Sequence, residues 1–586
     1  MDPIKVDFTG KGKGSAIRKP KNAALKILIS LLGTVVGAVI AYYFMLPPIN
    51  LKSYDFYIYA AFIVLLFIVF LLLTSGVVAS PDYTPYAKRL AVAPVCVLLV
   101  GALVVGVGFL ASCVFFRAES YSKIISVDES KTFEDDVQEA DFQSVPVLDT
   151  NAAAALAKRT LGDLSDQVSQ FEVGDSFTQI NYKGNPIKLT TLQYGDVFKW
   201  FKNTKNGFPG YITVNMVTQK AEFVRTDDAG LGYGNIRYST YEHFNKYLMR
   251  HVRFERPTYL LGTPTFEIDE TGYPFWLVPV EDRTVGVFGG TDVIGVLLVD
   301  AVTGEITEYT VDEVRENSEL QWIDGIFSAS LLVKQYNYYG KYSGGFWNSI
   351  IGQSGVKLAT EGHNYLAIND DVYMYTGVTS TGEDQAIIGF VLVNMRTKEA
   401  NYYMVSGAKE NSAKESAEGA LQNFKYTATF PLLLNISGQP TYFMSMLDAV
   451  SLVKMYAMVN VTNYRVVVTG SDIASTIEAY VAELEENNIS IDIDIDDIQH
   501  DIESSTNEEE TVDPDKYTTW TGSVTDIRTA VINGNSYYYL AIDSADAYFS
   551  IKADDAQEVI ILNVGDTVSF KTTKDKGAII EIAVFG

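Results

Sequence analysis

The sequence predicts a membrane-anchored α+β protein: three transmembrane helices, a body of repeated antiparallel four-stranded sheet-plus-helix units, and a small C-terminal β-barrel. Three observations carry this. Residues 27–46, 56–78 and 90–116 are apolar runs without a charged side chain. A hairpin phrase recurs four times between residues 214 and 465, and the last 70 residues alternate short strand patterns with turn signals.

Each apolar run is long enough to cross a hydrocarbon core of roughly 30 Å. Lys5, Lys11, Lys13, Arg18, Lys19, Lys21 and Lys26 precede the first run, Lys52 lies in the first loop, and Lys88 and Arg89 lie in the second. The positive-inside bias therefore makes residues 1–26 a cytoplasmic basic tail and 27–117 a three-helix anchor in the cell membrane. An odd number of spans places the C-terminal body outside the cell. The first run exceeds a signal-peptide core and has no small-residue cleavage site before Pro47-Pro48, so it reads as an uncleaved anchor.

No Asp, Glu, Lys, Arg or His falls inside a run, which argues against an ion relay or a substrate counter-charge. Gly33 and Gly37 in the first run, and Ala102, Gly106, Gly108 and Ser112 in the third, have the spacing of close-packed membrane helices. They are expected to pack the three helices on one another. The same spacing would serve a homo-oligomer or a partner's helix.

The chain carries a net charge of −27, and residues 118–586 alone carry 34 basic against 68 acidic side chains. So negative a body repels phosphate backbones, which excludes nucleic acid as a partner. The two cysteines, Cys96 and Cys113, both fall in the third run, so the body has no disulfide and relies on its core. An exported body of this kind suits a bacterium with a single membrane.

Residues 118–170 read as a stalk leading into an Ala-rich helix at 151–167. The body, 171–485, follows. Its recurring phrase is Val214-Asn215-Met216-Val217-Thr218, Val299-Asp300-Ala301-Val302-Thr303, Val393-Asn394-Met395-Arg396-Thr397 and, more loosely, Val459-Asn460-Val461-Thr462-Asn463. In each an apolar strand enters, Asn or Asp with Thr makes the turn, and an alternating strand leaves. An earlier hairpin precedes each copy, turning at 183–185, 271–272, 369–370 and 437–438, and a helical stretch follows at 241–251, 311–323, 412–424 and 473–485. Repetition with variable insertions is a domain-scale repeat.

The phrase resembles the final hairpin of the PepSY domain, most closely at Val299-Asp300-Ala301-Val302-Thr303-Gly304-Glu305; Gln219 and Lys398 replace the glycine in two other copies. The resemblance covers about a dozen residues per copy and implies a fold. PepSY units also occur in protease propeptides and envelope proteins, where they bind or inhibit peptidases. The whole layout is similar to envelope membrane proteins of Gram-positive gut bacteria, a likeness that implies no activity.

Residues 486–516 form an acidic linker in which Asp492, Asp494, Asp496 and Asp497 lack the glycine and terminal glutamate of a calcium loop. Residues 517–586 read as five strands with turns at 533–534 and 565–566, an OB-like barrel. Asp543, Asp546, Asp554 and Asp555 make it a poor nucleic-acid platform.

Catalytic spacing is lacking throughout. The chain has four histidines; His243 and His251 are eight apart, too far for a shared metal on one helix, and HExxH, Gly-x-Ser-x-Gly and phosphate-loop patterns are missing. No cofactor is implied. The expectation is a non-enzymatic cell-envelope protein whose extracellular body binds a protein or a wall glycan. A peptidase regulator or a transport accessory are the alternatives. Residues expected to bind the partner are Tyr338, Tyr339, Phe346 and Trp347, within and before the Gly-rich stretch 340–355, and Tyr537 and Tyr539, which would stack on a glycan from the barrel.

Overall fold

A computed structural model describes residues 19–487 except 79, 141, 143, 165–166, 228, 369–370 and 381–385, then 489, and 518–585 except 533–534, 553–558, 561 and 573–578. The chain divides into two compact units, residues 1–502 and 503–586. The expected turns at 369–370 and 533–534, and Asp492, Asp494, Asp496, Asp497, Asp554 and Asp555, lie outside the described residues.

Helices α1 (Ala23–Met45), α2 (Tyr54–Ser75) and α3 (Thr84–Ala111) are long and apolar enough to cross a membrane. Pro47 and Pro48 prevent α1 from continuing, and the Ser53 hydroxyl accepts the Asp55 N–H to start α2. Gly33 and Gly37 pack α1 against α2: a Cβ would lie 3.1 Å from the Phe70 ring at the first and 2.5 Å from Leu66 at the second. At Gly106 no atom outside its own helix backbone lies within 4 Å of where a Cβ would be, and the residue lines an apolar groove between α2 and α3.

The third helix ends five residues before its apolar run does. Ser112 and Cys113 break it, and α4 (Val114–Ser122) begins a new direction. Ser112 stops the helix because its hydroxyl donates back to the Gly108 carbonyl at 2.8 Å while accepting two N–H groups from the body. Cys113, Phe115 and Phe116 therefore lie beyond the span.

The described residues between 123 and 148 pair with the sheets of the body. Val127–Asp128 adds a parallel strand beside Ala400 and Asn401. After α5 (Phe133–Asp136), Glu139 bridges Asn435, and the Val147 N–H donates to the Met216 carbonyl at 2.8 Å. This strap thus touches three sheets before Asp149 caps α6 (Thr150–Gly162) by accepting the Ala152 N–H.

Four antiparallel sheets with one strand order follow. In each, a short strand and the first strand of a hairpin pair along the same edge of a long second strand, and two further strands continue the meander. Sheet A is Phe171–Val173, Thr178–Tyr182, Asn185–Tyr194, Gly210–Asn215 and Ala221–Arg225. Sheet B is Leu260–Leu261, Thr265–Ile268, Pro274–Val285, Gly289–Asp300 and Ile306–Thr310. Sheet C is Leu358–Ala359, Asn364–Ile368, Asp371–Thr379, Gly389–Asn394 and Ala400–Tyr403; sheet D is Thr427–Ala428, Leu432–Ile436, Gln439–Leu447, Val453–Asn460 and Val467–Gly470.

The recurring phrase is turn chemistry. The side-chain oxygens of Asn215, Asp300 and Asn394 each accept the backbone N–H groups two and three residues on, at 2.8–2.9 Å; Asn460 accepts the N–H of Asn463. The residue after Thr218, Thr303 and Thr397 has positive φ in each case: Gln219, Gly304 and Lys398. The short polar side chain thus replaces a backbone acceptor, and the next position takes the left-handed bend.

Helix α7 (Val197–Asn203) interrupts sheet A, and α8 (Leu248–Glu255) follows it. After sheet B come α9 (Val311–Glu316), α10 (Ala329–Tyr342) and α11 (Gly345–Trp347); α12 (Glu410–Ala420) follows sheet C, and α13 (Ile473–Glu486) follows sheet D. The helices do not simply cover the sheet preceding them. Leu332 and Tyr336 of α10 share a core with Val296 and Leu298 of sheet B and Met374 and Val391 of sheet C, while α12 packs on sheet D. A second core runs continuously through all four sheets, from Leu189 and Val278 to Phe390 and Phe443.

In the other unit, Thr518–Ile532, Asn535–Ile542, Tyr548–Lys552, Ile579–Phe585 and Thr567–Thr572 close into a barrel in that order. Val524, Leu540, Phe549 and Phe570 fill it.

Candidate functional site

Three places carry the residues of interest: the seam between anchor and body, the barrel strand with its tyrosines, and a cavity between sheets A, C and D.

At the seam, the tip of the long hairpin of sheet B plugs into the anchor. Phe288 stacks on Tyr54 of α2, with ring centroids 4.3 Å apart, and its ring occupies the space a Cβ on Gly108 would need. On the other side α8 caps α1: Arg250 Nε donates to the Tyr43 carbonyl at 2.9 Å and Arg253 Nε to the Leu46 carbonyl at 3.1 Å. Both arginines are buried. Guanidinium groups at a helix C-terminus satisfy its orphan carbonyls and its dipole. Lys52, between the first two helices, reaches both carboxylate oxygens of Asp282, at 2.7 and 2.8 Å.

The residues expected to bind a partner through 340–355 belong to this seam. That stretch is not a loop but the end of α10, then α11 and a π-turn (Asn348–Gly352). Phe346 and Trp347 meet Phe115 edge to face, at 4.9 and 5.8 Å, just past the third span. Tyr338 packs on Tyr121 at 4.7 Å, and the Tyr339 hydroxyl donates to Glu129 at 2.9 Å. Burial and the Glu129 carboxylate push the Tyr339 hydroxyl up to about 12. Tyr338 and Tyr339 are half-buried and make these contacts within the body. Trp347 is 63 % exposed and Ile351 77 %, and Phe116 beside them is also exposed. A second exposed apolar group, Val197, Phe198 and Phe201 of α7 with Phe244, lies by Phe44 at the C-terminal end of α1.

Tyr537 and Tyr539 lie two residues apart on one barrel strand, hence on one face, and both are half-buried. Tyr538, on the opposite face, packs against the barrel core.

His243 and His251 have structural partners. His243 rests edge-on against Trp200, and His251 Nε2 meets the Gly304 carbonyl at 2.7 Å. Among the described residues no group of three His, Cys, Asp or Glu is arranged to hold a metal.

Sequence reasoning missed the third place. A cavity of about 290 Å³ opens between sheets A, C and D and the residues around the start of α6. Lys188 of sheet A lines it and is only 4 % exposed. Its nearest polar contact is Gln179 Oε1 at 3.5 Å, and no carboxylate lies within ion-pairing distance among the described residues. Burial pushes its amine down to about 8, with Asp149 opposing the shift. His363, whose imidazole burial holds below its ordinary value, contacts the Tyr365 hydroxyl at 3.3 Å on the sheet C side. The only signal available beforehand was a lone lysine in the apolar strand Pro186-Ile187-Lys188-Leu189. No protein-family profile matches this chain, and no curated protein or solved structure matches it significantly.

Proposed function

We propose that the protein is a non-enzymatic binding protein of the cell envelope, with its N-terminus cytoplasmic and its body outside, seated directly on the bilayer. The observation that carries this reading is the two-sided fixing of the body to the helix ends, through Ser112 and Phe288 on one side and Arg250 and Arg253 on the other. The exposed groups around Trp347 and Phe198 adjoin those same helix ends. Large aromatic side chains favour the headgroup level of a membrane. In this reading they rest in the lipid interface, and the partner, a protein or a wall glycan, meets the far side of the body or the barrel.

The four like-ordered sheets are, on this proposal, copies of one PepSY-like unit, and the barrel is OB-like. Presentation of repeated sheets without catalytic spacing suits recognition. A photo-crosslinking side chain placed at position 347 in living cells is expected to yield lipid adducts, and one at Tyr539 adducts with the envelope partner. A discrete protein adduct at 347 would overturn the seating. A steady hydrolytic activity in the purified protein would overturn the non-enzymatic reading.

A further inference from the structure

We infer that the cavity between sheets A, C and D binds a small organic monocarboxylate, with Lys188 as its counter-ion. This inference stands apart from the seating of the body and from its orientation.

Lys188 brings an ammonium group with three donors to the cavity wall, where a 3.5 Å approach to one amide oxygen, the Tyr365 ring with its centroid 6.0 Å away and the attraction of Asp149 offset its charge only in part. Gln179 Nε2, on the same amide, is itself buried without an acceptor. An ammonium removed from water demands an anion or a dense set of acceptors. The one carboxylate among the described lining residues, Asp149, attracts the ammonium but makes no ion pair with it, its Oδ1 being held by the Ala152 N–H at 2.7 Å.

The second contribution comes from α6. Thr150 and Asn151, its first two residues, line the cavity. The N–H groups of a first helical turn have no intrahelical acceptor, and the dipole there favours negative charge. Lys188 and the helix start belong to different elements, so the fold brings together two independent anion-seeking features.

The rest of the lining sets the ligand's class. Val147, Met216, Phe430 and Phe443 supply apolar wall and Asn151, Asn364, Thr429 and Ser445 polar wall, so the anion carries a compact body that meets both. One ammonium and one helix terminus, with the Asp149 carboxylate nearby, compensate a single negative charge. Neither arginine nor a second lysine lines the site, so a phosphate dianion is poorly matched. The volume, at the lower end of ligand pockets, fits a compact acid of the size of benzoate.

The test uses full-length protein in nanodiscs and the probe 4-fluorobenzoate, observed by fluorine NMR, with 4-fluorobenzamide as its neutral counterpart. The acid is expected to bind about tenfold or more tightly than the amide, and Lys188→Met to abolish that preference. Thr150→Trp, an exposed change at the mouth, is expected to weaken the acid while leaving the core intact, so the result does not rest on one buried substitution. Acetate is expected to displace the probe. Equal binding of acid and amide, no binding, or unchanged binding in Lys188→Met would overturn the inference. Displacement by inorganic phosphate at lower concentration than by acetate would overturn the monocarboxylate assignment.

Discussion

Ser112, where the third apolar helix stops, accepts the backbone N–H of Phe288 at 2.9 Å and that of Val287 at 2.8 Å through a single hydroxyl oxygen. The end of a helix long and apolar enough to cross a membrane and the tip of a sheet B hairpin are thereby one structural element. Ser112→Ala removes the acceptor from two amides at once, a loss of about 1–3 kcal/mol for each amide left buried and unpaired. Hydrogen exchange at Val287 and Phe288 is expected to accelerate by about tenfold or more, with sheet A unaffected. Gly108→Leu should do the same by displacing the Phe288 ring, which lies 2.5 Å from the position of a Cβ there. Unchanged exchange in both variants would mean that the hairpin is held by the rest of sheet B alone.

The turn after Asp300 makes a second test. Gly304 has φ of 82°, and a Cβ would stand 2.4 Å from the Tyr238 ring. Gly304→Ala combines an unfavourable backbone region with a steric clash, and a destabilisation of about 2 kcal/mol is expected. The equivalent positions in sheets A and C carry Gln219 and Lys398 at φ of 58° and 64°, where the side chains reach Tyr456 and Asp292. Gln219→Ala should therefore cost less than Gly304→Ala in paired thermal denaturation. Equal losses would mean that a Cβ at position 304 meets no penalty from the bend or from Tyr238 beyond that of truncating a side chain at such a turn.

Glu267 of sheet B is fully buried and accepts the Asp324 N–H at 3.2 Å, while Asp324 Oδ2 accepts the Asn181 N–H of sheet A at 2.7 Å. Burial pushes the Glu267 carboxyl above its ordinary value. The folded protein then binds a proton that the unfolded chain releases. This contribution is present at acid pH and is lost as pH rises from about 4.5 through the folded pKa. Glu267→Gln keeps an acceptor for Asp324 and removes the ionisation. Its stability relative to the parent protein is expected to increase from pH 5 to pH 8, read as the difference in denaturation midpoint. A flat difference across that range would show that Glu267 is not titrating.

What was legible in the sequence follows from how local each signal is. Charge-free runs and their lengths identify three helices directly, because a bilayer tolerates few alternatives. The Asn/Asp and Thr phrase locates its turns, because the oxygen of Asn215, Asp300 or Asn394 bonds its own next residues. The end of α3 was not legible. Phe115 and Phe116 are as apolar as the span, and only the distant N–H groups of Val287 and Phe288 show why Ser112 ends it. Trp347 stood out as unusual, yet its surroundings depend on Phe115, more than 200 residues earlier. Lys188 is the plainest case, since a single lysine in a strand has no meaning until sheets C and D close over it.

Lys188 also yields the sharpest stability prediction. Its amine titrates at about 8 in the folded chain, and the value for an unburied lysine is about 10.4. Asp149, His363 and Tyr365 are the titratable groups that face it across the cavity, and Asp149 only partly offsets the burial. The unfolded chain thus binds the proton more tightly, and folding bears a penalty at every pH below the folded value. That penalty fades as pH rises from about 8 to about 10.4 and vanishes above. Its size is on the order of 3 kcal/mol at neutral pH. Lys188→Met, of similar length and apolar, is expected to be more stable than the parent at pH 7 by that order, with the advantage disappearing by pH 10.5. A saturating carboxylate should stabilise the parent and leave the variant unchanged, because ligand binding acts only on the folded form. If the variant is less stable at pH 7, the lysine is a structural support and its burial is already compensated.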